Sequence, residues 1–226
     1  MQVLKRAVLV IFAWLACAQV ATAHTPDQVA KETTEKVINL LMDKSGRYKA
    51  NVDAFYDDME KIIDPVIAFD DMARGVMGKY AHRSTKDEIA QFTAVFREGM
   101  LRFYSKAMLA FDTSELSLAK VDPASAEILK NYEAGKIRQV PVNLTIKSKG
   151  TSYAMSYDMV KKNGSWVARN FSVEGINIGL QFRTQFAEAM NKFNTVAKVI
   201  TKWPEMMKVS EKSEASDPEK ADRNKD

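Results

Sequence analysis

Cysteine is almost missing from this chain: Cys17 is the only one among 226 residues. It lies inside a stretch with the layout of a secretory leader: a positive start at Lys5 and Arg6, an apolar run from Ala7 to Val20, and small residues at Ala21-Thr22-Ala23. Cleavage after Ala23 would remove residues 1–23 as a signal peptide and leave a mature protein without cysteine, which excludes a disulfide, a thiol nucleophile and a cysteine metal site. A lipoprotein leader built on Cys17 would want leucine followed by small residues, and Trp14-Leu15-Ala16 stand there instead. Long apolar runs are missing too. The leader's run of about fourteen residues falls short of the roughly twenty that cross a bilayer, which argues against a permanent anchor.

Histidine is nearly as scarce. A copper site built on the amino group and ring of His24 would need a second imidazole, and His82 is the only other one; plain surface histidines are the simpler reading. Asp57-Asp58 and Asp70-Asp71 do not read as catalytic carboxylate pairs. Adjacent helical residues point about 100 degrees apart, so a solvated face and a helix cap explain them better. Gly75 and Gly78 near Arg74 form no phosphate loop, because no glycine-rich turn leads into Lys-Ser or Lys-Thr. A net charge of +4 and a pI near 9.0 suggest a basic protein. Removing the leader takes two cations away, however, and no basic run with interleaved aromatics remains, so a nucleic-acid partner is not expected.

What is present is periodic apolar sequence. Pro26 to about Met42 sets Val29, Val37, Leu40 and Leu41 on one helical face, and Asn51 to about Ile63 does the same with Phe55, Met59 and Ile62. Thr85 and Glu88 form a capping box ahead of Ile89, Phe92, Phe96, Met100, Phe103, Ala107 and Phe111, the signature of a helix of about seven turns. Period two then takes over at Leu116 and Leu118, at Val140 to Ile146, and at Tyr153 to Met159. Lys149-Gly150 and Asn163-Gly164 mark turns, with a further strand from Trp166 to Val173. Gly175 ends the sheet, and Phe182 to Ile200 recur at helical spacing up to Trp203-Pro204. From Lys208 the chain turns to Ser, Glu, Lys and Asp and reads as a disordered tail, 208–226, behind one folded domain, 24–207. The expected fold class is α+β, with helices packed on a curved antiparallel sheet. The apolar excess, 12 Met, 11 Phe and 7 Tyr, suits an adaptable apolar cavity as well as an ordinary core.

Three stretches carry a family resemblance: Phe69-Asp70-Asp71-Met72-Ala73-Arg74 with Met77-Gly78-Lys79-Tyr80; Phe92 to Phe96 with Arg102-Phe103-Tyr104; and Trp166 to Phe186. The last contains Val173-Glu174-Gly175-Ile176-Asn177 and ends Phe182-Arg183-Thr184-Gln185-Phe186. Over about residues 27 to 203 the chain resembles the MlaC family, also called toluene-tolerance auxiliary proteins. Tyr80 and Ala81 stand where members often carry tryptophan, and Phe182 where tyrosine is frequent.

The resemblance implies a periplasmic phospholipid carrier with no catalytic residues and no cofactor beyond its cargo. It would exchange lipid between an outer-membrane lipoprotein complex and an inner-membrane ABC transporter complex bearing an MCE-domain subunit. The implied fold is like that of nuclear transport factor 2. The expected cavity has sheet walls at Val140, Val142, Leu144, Met155, Tyr157, Met159, Phe171 and Val173, a helical wall at Met100, Phe103 and Tyr104, and a mouth at Ile176 and Ile178, where a charge at Ile176 would eject lipid. Arg102, Arg169 and Arg183 are candidates for the head-group phosphate. Two rivals remain: a sterol or hopanoid carrier, and an enzyme of the same fold with Asp158 or Glu174 as its acid or base.

Overall fold

Side-chain caps start most of the helices. The structure, a computed structural model, describes residues 24–43, 47–110 and 115–215, so the expected leader, Phe111 and the part of the expected tail from residue 216 lie outside the described residues. Helix α1 (Pro26–Leu41) opens on a capping box in which Thr25 Oγ1 accepts from the Gln28 N–H and Gln28 Oε1 accepts from the Thr25 N–H at 2.9 Å. One short turn, α2 (Arg47–Ala50), precedes α3 (Val52–Ile63), which Asn51 caps. Helix α4 (Phe69–Met77) runs into a 3-10 turn, Gly78–Arg83, and then α5 (Lys86–Ala110) begins with the expected Thr85–Glu88 box.

Five strands follow in a simple antiparallel meander, β1 (Ser117–Asp122), β2 (Val140–Ser148), β3 (Thr151–Lys162), β4 (Ser165–Val173) and β5 (Ile176–Asn177). A helix that the sequence did not announce, α6 (Ala126–Glu133), joins β1 to β2 behind a Ser125 cap. The three tight turns are alike: Lys149-Gly150, Asn163-Gly164 and Glu174-Gly175 each place both central residues at positive φ. That is the turn whose twist matches paired strands. A bulge between Asp158 and Met159 leaves Arg169 of β4 without a partner, and the segment ahead of α4 closes on β4 there through Ala168 N–H to Val66 O and Ala68 N–H to Ala168 O, both 2.8 Å.

The C-terminal region departs from expectation. Instead of one helix ending at Trp203-Pro204 there are two, α7 (Ile178–Phe193) and α8 (Val196–Ala215). Asn194 adopts the left-handed conformation at φ 65° and stops α7, and Thr195 accepts from the Lys198 N–H to start α8. Pro204 lies inside α8 and forgoes one backbone hydrogen bond. Burial of Val199, Ile200, Trp203 and Met207 along the same face keeps the helix continuous. The backbone stays helical past residue 207, through a stretch in which Lys and Glu, both good helix formers, supply four of eight residues.

Two filled cores result. Helices α4, α5, α7 and α8 enclose Phe92, Phe96, Phe182, Phe186 and Trp203, all buried. Trp203 meets Phe92 edge-on at 5.1 Å. At one end of the sheet, Val140, Val142, Leu144, Met159, Trp166 and Ala168 pack beneath Ala30 of α1 and the apolar face of α6.

Candidate functional site

Between these cores lies a cavity of about 370 Å³ with an apolar lining. On the sheet its floor is set by register: Ile146 pairs with Tyr153, Met155 with Val173, and Tyr157 with Phe171, so these six residues share one face across three strands. Helix α1 supplies Thr34, Val37, Ile38 and Leu41, α3 supplies Met59 and Ile63, and α5 supplies Met100, Leu101, Tyr104, Ser105 and Met108 at successive turns. Ile178, the first residue of α7, is also part of the wall. Rings link opposite walls, with Tyr104 5.8 Å from Phe171 and Phe171 6.4 Å from Tyr157.

Polar groups in the lining are few and uncharged. Thr34 Oγ1 and Tyr157 Oη share a hydrogen bond of 3.3 Å. Desolvation pushes the Tyr157 phenol above its ordinary value, and the Thr34 hydrogen bond opposes this only in part, so the group stays neutral. The Ser105 hydroxyl, 1% exposed, has no partner among the described residues. Among the described residues, no Asp, Glu, His, Lys or Arg lines the cavity. Chemically it can enclose hydrocarbon and offer a few neutral hydroxyls.

Of the residues expected from the sequence, Met100, Tyr104, Met155, Tyr157, Phe171, Val173 and Ile178 line this cavity. The others do not. Phe103 is buried toward the aromatic core, 5.1 Å from Tyr104. Val140, Val142, Leu144 and Met159 occupy the correct sheet face but its filled end, where α1 and α6 cover them. Strand parity fixes the face and not which helix lies over each end of it. Ile176 is 58% exposed and outside the wall, because the Glu174-Gly175 turn carries it outward before α7 begins. The contribution of α1 and α3 went unread, although Val37 and Leu41 were on the expected face. The buried Thr33 and Thr34 on that face were the available signal.

Neither candidate acid reaches the cavity. Asp158 points to the opposite sheet face, where its Oδ2 accepts from Asn170 at 3.0 Å, and Asn170 Oδ1 in turn accepts from the Gly179 N–H at 2.9 Å. The Glu174 carboxylate accepts from the Ala154 N–H. Asp70 and Asp71 pair with Lys162; burial alone would raise the Asp70 carboxyl, but the Lys162 hydrogen bond and charge hold it below the usual range. His24 lies 3.8 Å from Glu32 at the start of α1, whereas His82 is in a different place, a basic groove. The arginines also divide. Arg102 is committed to Glu98 at 3.0 Å and to the Tyr56 ring, while Arg169 and Arg183 converge in that same groove, of about 630 Å³.

A helix-covered antiparallel sheet holding an apolar chamber is the architecture of a binding protein for an apolar molecule. The comparisons give the family: the model described as MlaC protein matches residues 31–205, and the chain belongs to that family. The toluene tolerance protein ttg2D of Pseudomonas putida is 32% identical over 220 residues, which cover 96% of this chain and 97% of that protein. Among solved structures, a phospholipid-binding protein from Ralstonia solanacearum, in complex with a phospholipid, superposes with a TM-score of 0.68 at 15% identity, over 83% of this chain and 99% of its own. At that identity the likeness speaks for the fold.

Proposed function

We propose that this protein is a periplasmic carrier that holds a phospholipid in the cavity between sheet and helices and moves it between the outer and inner membranes, in support of outer-membrane lipid asymmetry. The observation that carries the reading is the chamber itself: about 370 Å³, walled by parts of three strands and five helices, with no charged lining residue among the described residues. Family membership and a phospholipid complex of the same fold support it. Each buried methylene contributes about 0.8 kcal/mol, so exposing one long acyl chain to water costs on the order of 10 kcal/mol. A lipid therefore crosses an aqueous compartment slowly unless something encloses it. Enclosure needs no catalysis. The partners would be an outer-membrane lipoprotein complex that yields or accepts lipid and an inner-membrane ABC transporter complex with an MCE-domain subunit.

The test is mass spectrometry of organic extracts from the purified protein. Phospholipid near one molecule per chain is the expected result. Retention of a sterol or hopanoid instead would replace the cargo, and an empty protein that also takes up no lipid from vesicles would overturn the carrier reading.

A further inference from the structure

The basic groove is built from parts distant in sequence. Arg74 and the glycines that follow it come from the end of α4, Lys79 from the 3-10 turn, Arg138 from the approach to β2, Arg169 from the β4 bulge and Arg183 from α7. The bulge matters because it frees Arg169 from the strand ladder. Gly78, at φ 55°, lets Arg183 lie against the backbone: a Cβ there would stand 2.9 Å from Arg183 Nε. Five cations thus face one concavity, and among the described residues none of them forms an ion pair with a carboxylate. Asp71, the one acid among the described residues of the groove, is 3.4 Å from Lys162 and so already answered from outside. Like charges held together without counter-charges raise the potential of a cleft and favour an anionic occupant.

Apolar exposure occurs on the same helix. Leu180 is 59% exposed and stands three residues before Arg183, on the same face of α7. Ile176 is 58% exposed at the turn before it. Ile178, between them, is part of the cavity wall. Residues 176–183, strand β5 and the first turns of α7, therefore join the chamber, two solvent-facing aliphatic side chains and the cationic groove. Cations beside protruding aliphatic groups fit a bilayer surface, where head-group phosphates meet the charges and the aliphatic tips enter the interface.

We propose that the groove together with Leu180 and Ile176 is a contact face for membranes carrying anionic phospholipid head groups, set where lipid enters or leaves the chamber. This inference rests on the carrier reading for its purpose but not for its test. Flotation of the whole protein with phosphatidylcholine vesicles, and with vesicles also containing phosphatidylglycerol, should show binding to the second kind alone, weakening at high salt as screening shortens. A basic residue near an anionic surface contributes about fivefold in partition. Arg74→Gln, Lys79→Gln and Arg138→Gln combined should therefore lower binding on the order of a hundredfold. Leu180→Ser should lower it several-fold, with thermal melting unchanged in both variants.

Equal binding to both vesicles, or no loss in the triple variant, would overturn the proposal. So would a triple variant that keeps its vesicle binding but loses binding to immobilised polyglutamate, which would make the groove a dock for an acidic protein. Extracted lipid is measured on the same samples. A lipid-loaded protein that ignores phosphatidylglycerol vesicles sinks the contact face alone, whereas an empty protein that binds them but takes up no lipid from them sinks the carrier reading alone.

Discussion

Helix α5 passes through two interiors of opposite kind. In its first half Phe92 and Phe96 are fully buried against Phe182, Phe186 and Trp203, in edge-to-face and tilted ring contacts with centroids 4.8 to 6.3 Å apart. In its second half Leu101, Tyr104, Ser105 and Met108 face the chamber, whose opposite wall is the sheet face of Ile146, Tyr153, Met155, Tyr157, Phe171 and Val173. Rigid aromatic rings fill space with fixed geometry, so that half acts as the frame. Unbranched methionine and leucine chains can reshape around a guest. The contrast teaches that one continuous helix, with one continuous apolar stripe, supports both the part that must not move and the part that must adapt.

Removing the frame should have the largest effect. Trp203→Ala would open a void among four phenylalanines and lower unfolding free energy by about 3–5 kcal/mol in urea titration. A loss below that range would mean the core relaxes as readily as the chamber. The sharper comparison uses two methionines on one strand and one face. Met159, 1% exposed, lies in the filled end of the sheet, and Met155 in the chamber wall. Met159→Ala should cost about 2–5 kcal/mol. Met155→Ala should cost under about 1 kcal/mol, because its neighbours already border empty space, while reducing the lipid recovered in extracts. Equal losses in the two would erase the distinction between core and chamber.

A comparably small effect is expected at Tyr157. Its Phe variant removes the bond to Thr34 and should cost about 1 kcal/mol near neutral pH. Desolvation raises the phenol above its ordinary value of 10.0 in the folded protein, with Thr34 a lesser opposing influence. The folded state thus holds that proton more tightly than the unfolded chain, so its contribution is complete below about pH 10 and is lost as pH rises toward the folded-state value. Urea midpoints measured from neutral to strongly alkaline pH should fall more steeply for the native protein than for Tyr157→Phe. Parallel curves would show that Tyr157 is not shielded by the chamber.

Much of the fold was legible from local signals. The Thr85–Glu88 box, the α5 stripe, the strand parity of β2 to β4 and the Asn163-Gly164 turn depend on neighbours a few residues away, and each is present. The site was half legible. Met155, Tyr157, Phe171 and Val173 were read from the alternation, and Val140, Val142, Leu144 and Met159 were read with them by the same rule, since alternation does not say where along the face a helix ends its cover. The break at Asn194 was missed because asparagine is only an occasional helix terminator, and Pro204 misled because burial of Trp203 and Met207 outweighs the missing bond.

By itself, then, the sequence determined most of the helix and strand stretches, which side of each is apolar, and how scarce cysteine and histidine are, because capping, turn chemistry and period act over short range. The tertiary structure alone decided where apolar faces meet fully and where they stand apart, and that Arg74, Lys79, Arg138, Arg169 and Arg183, scattered over more than a hundred positions, face one groove. Both outcomes depend on how separate elements are placed over one twisted sheet, and that placement is settled by the sum of all their contacts rather than by any local pattern.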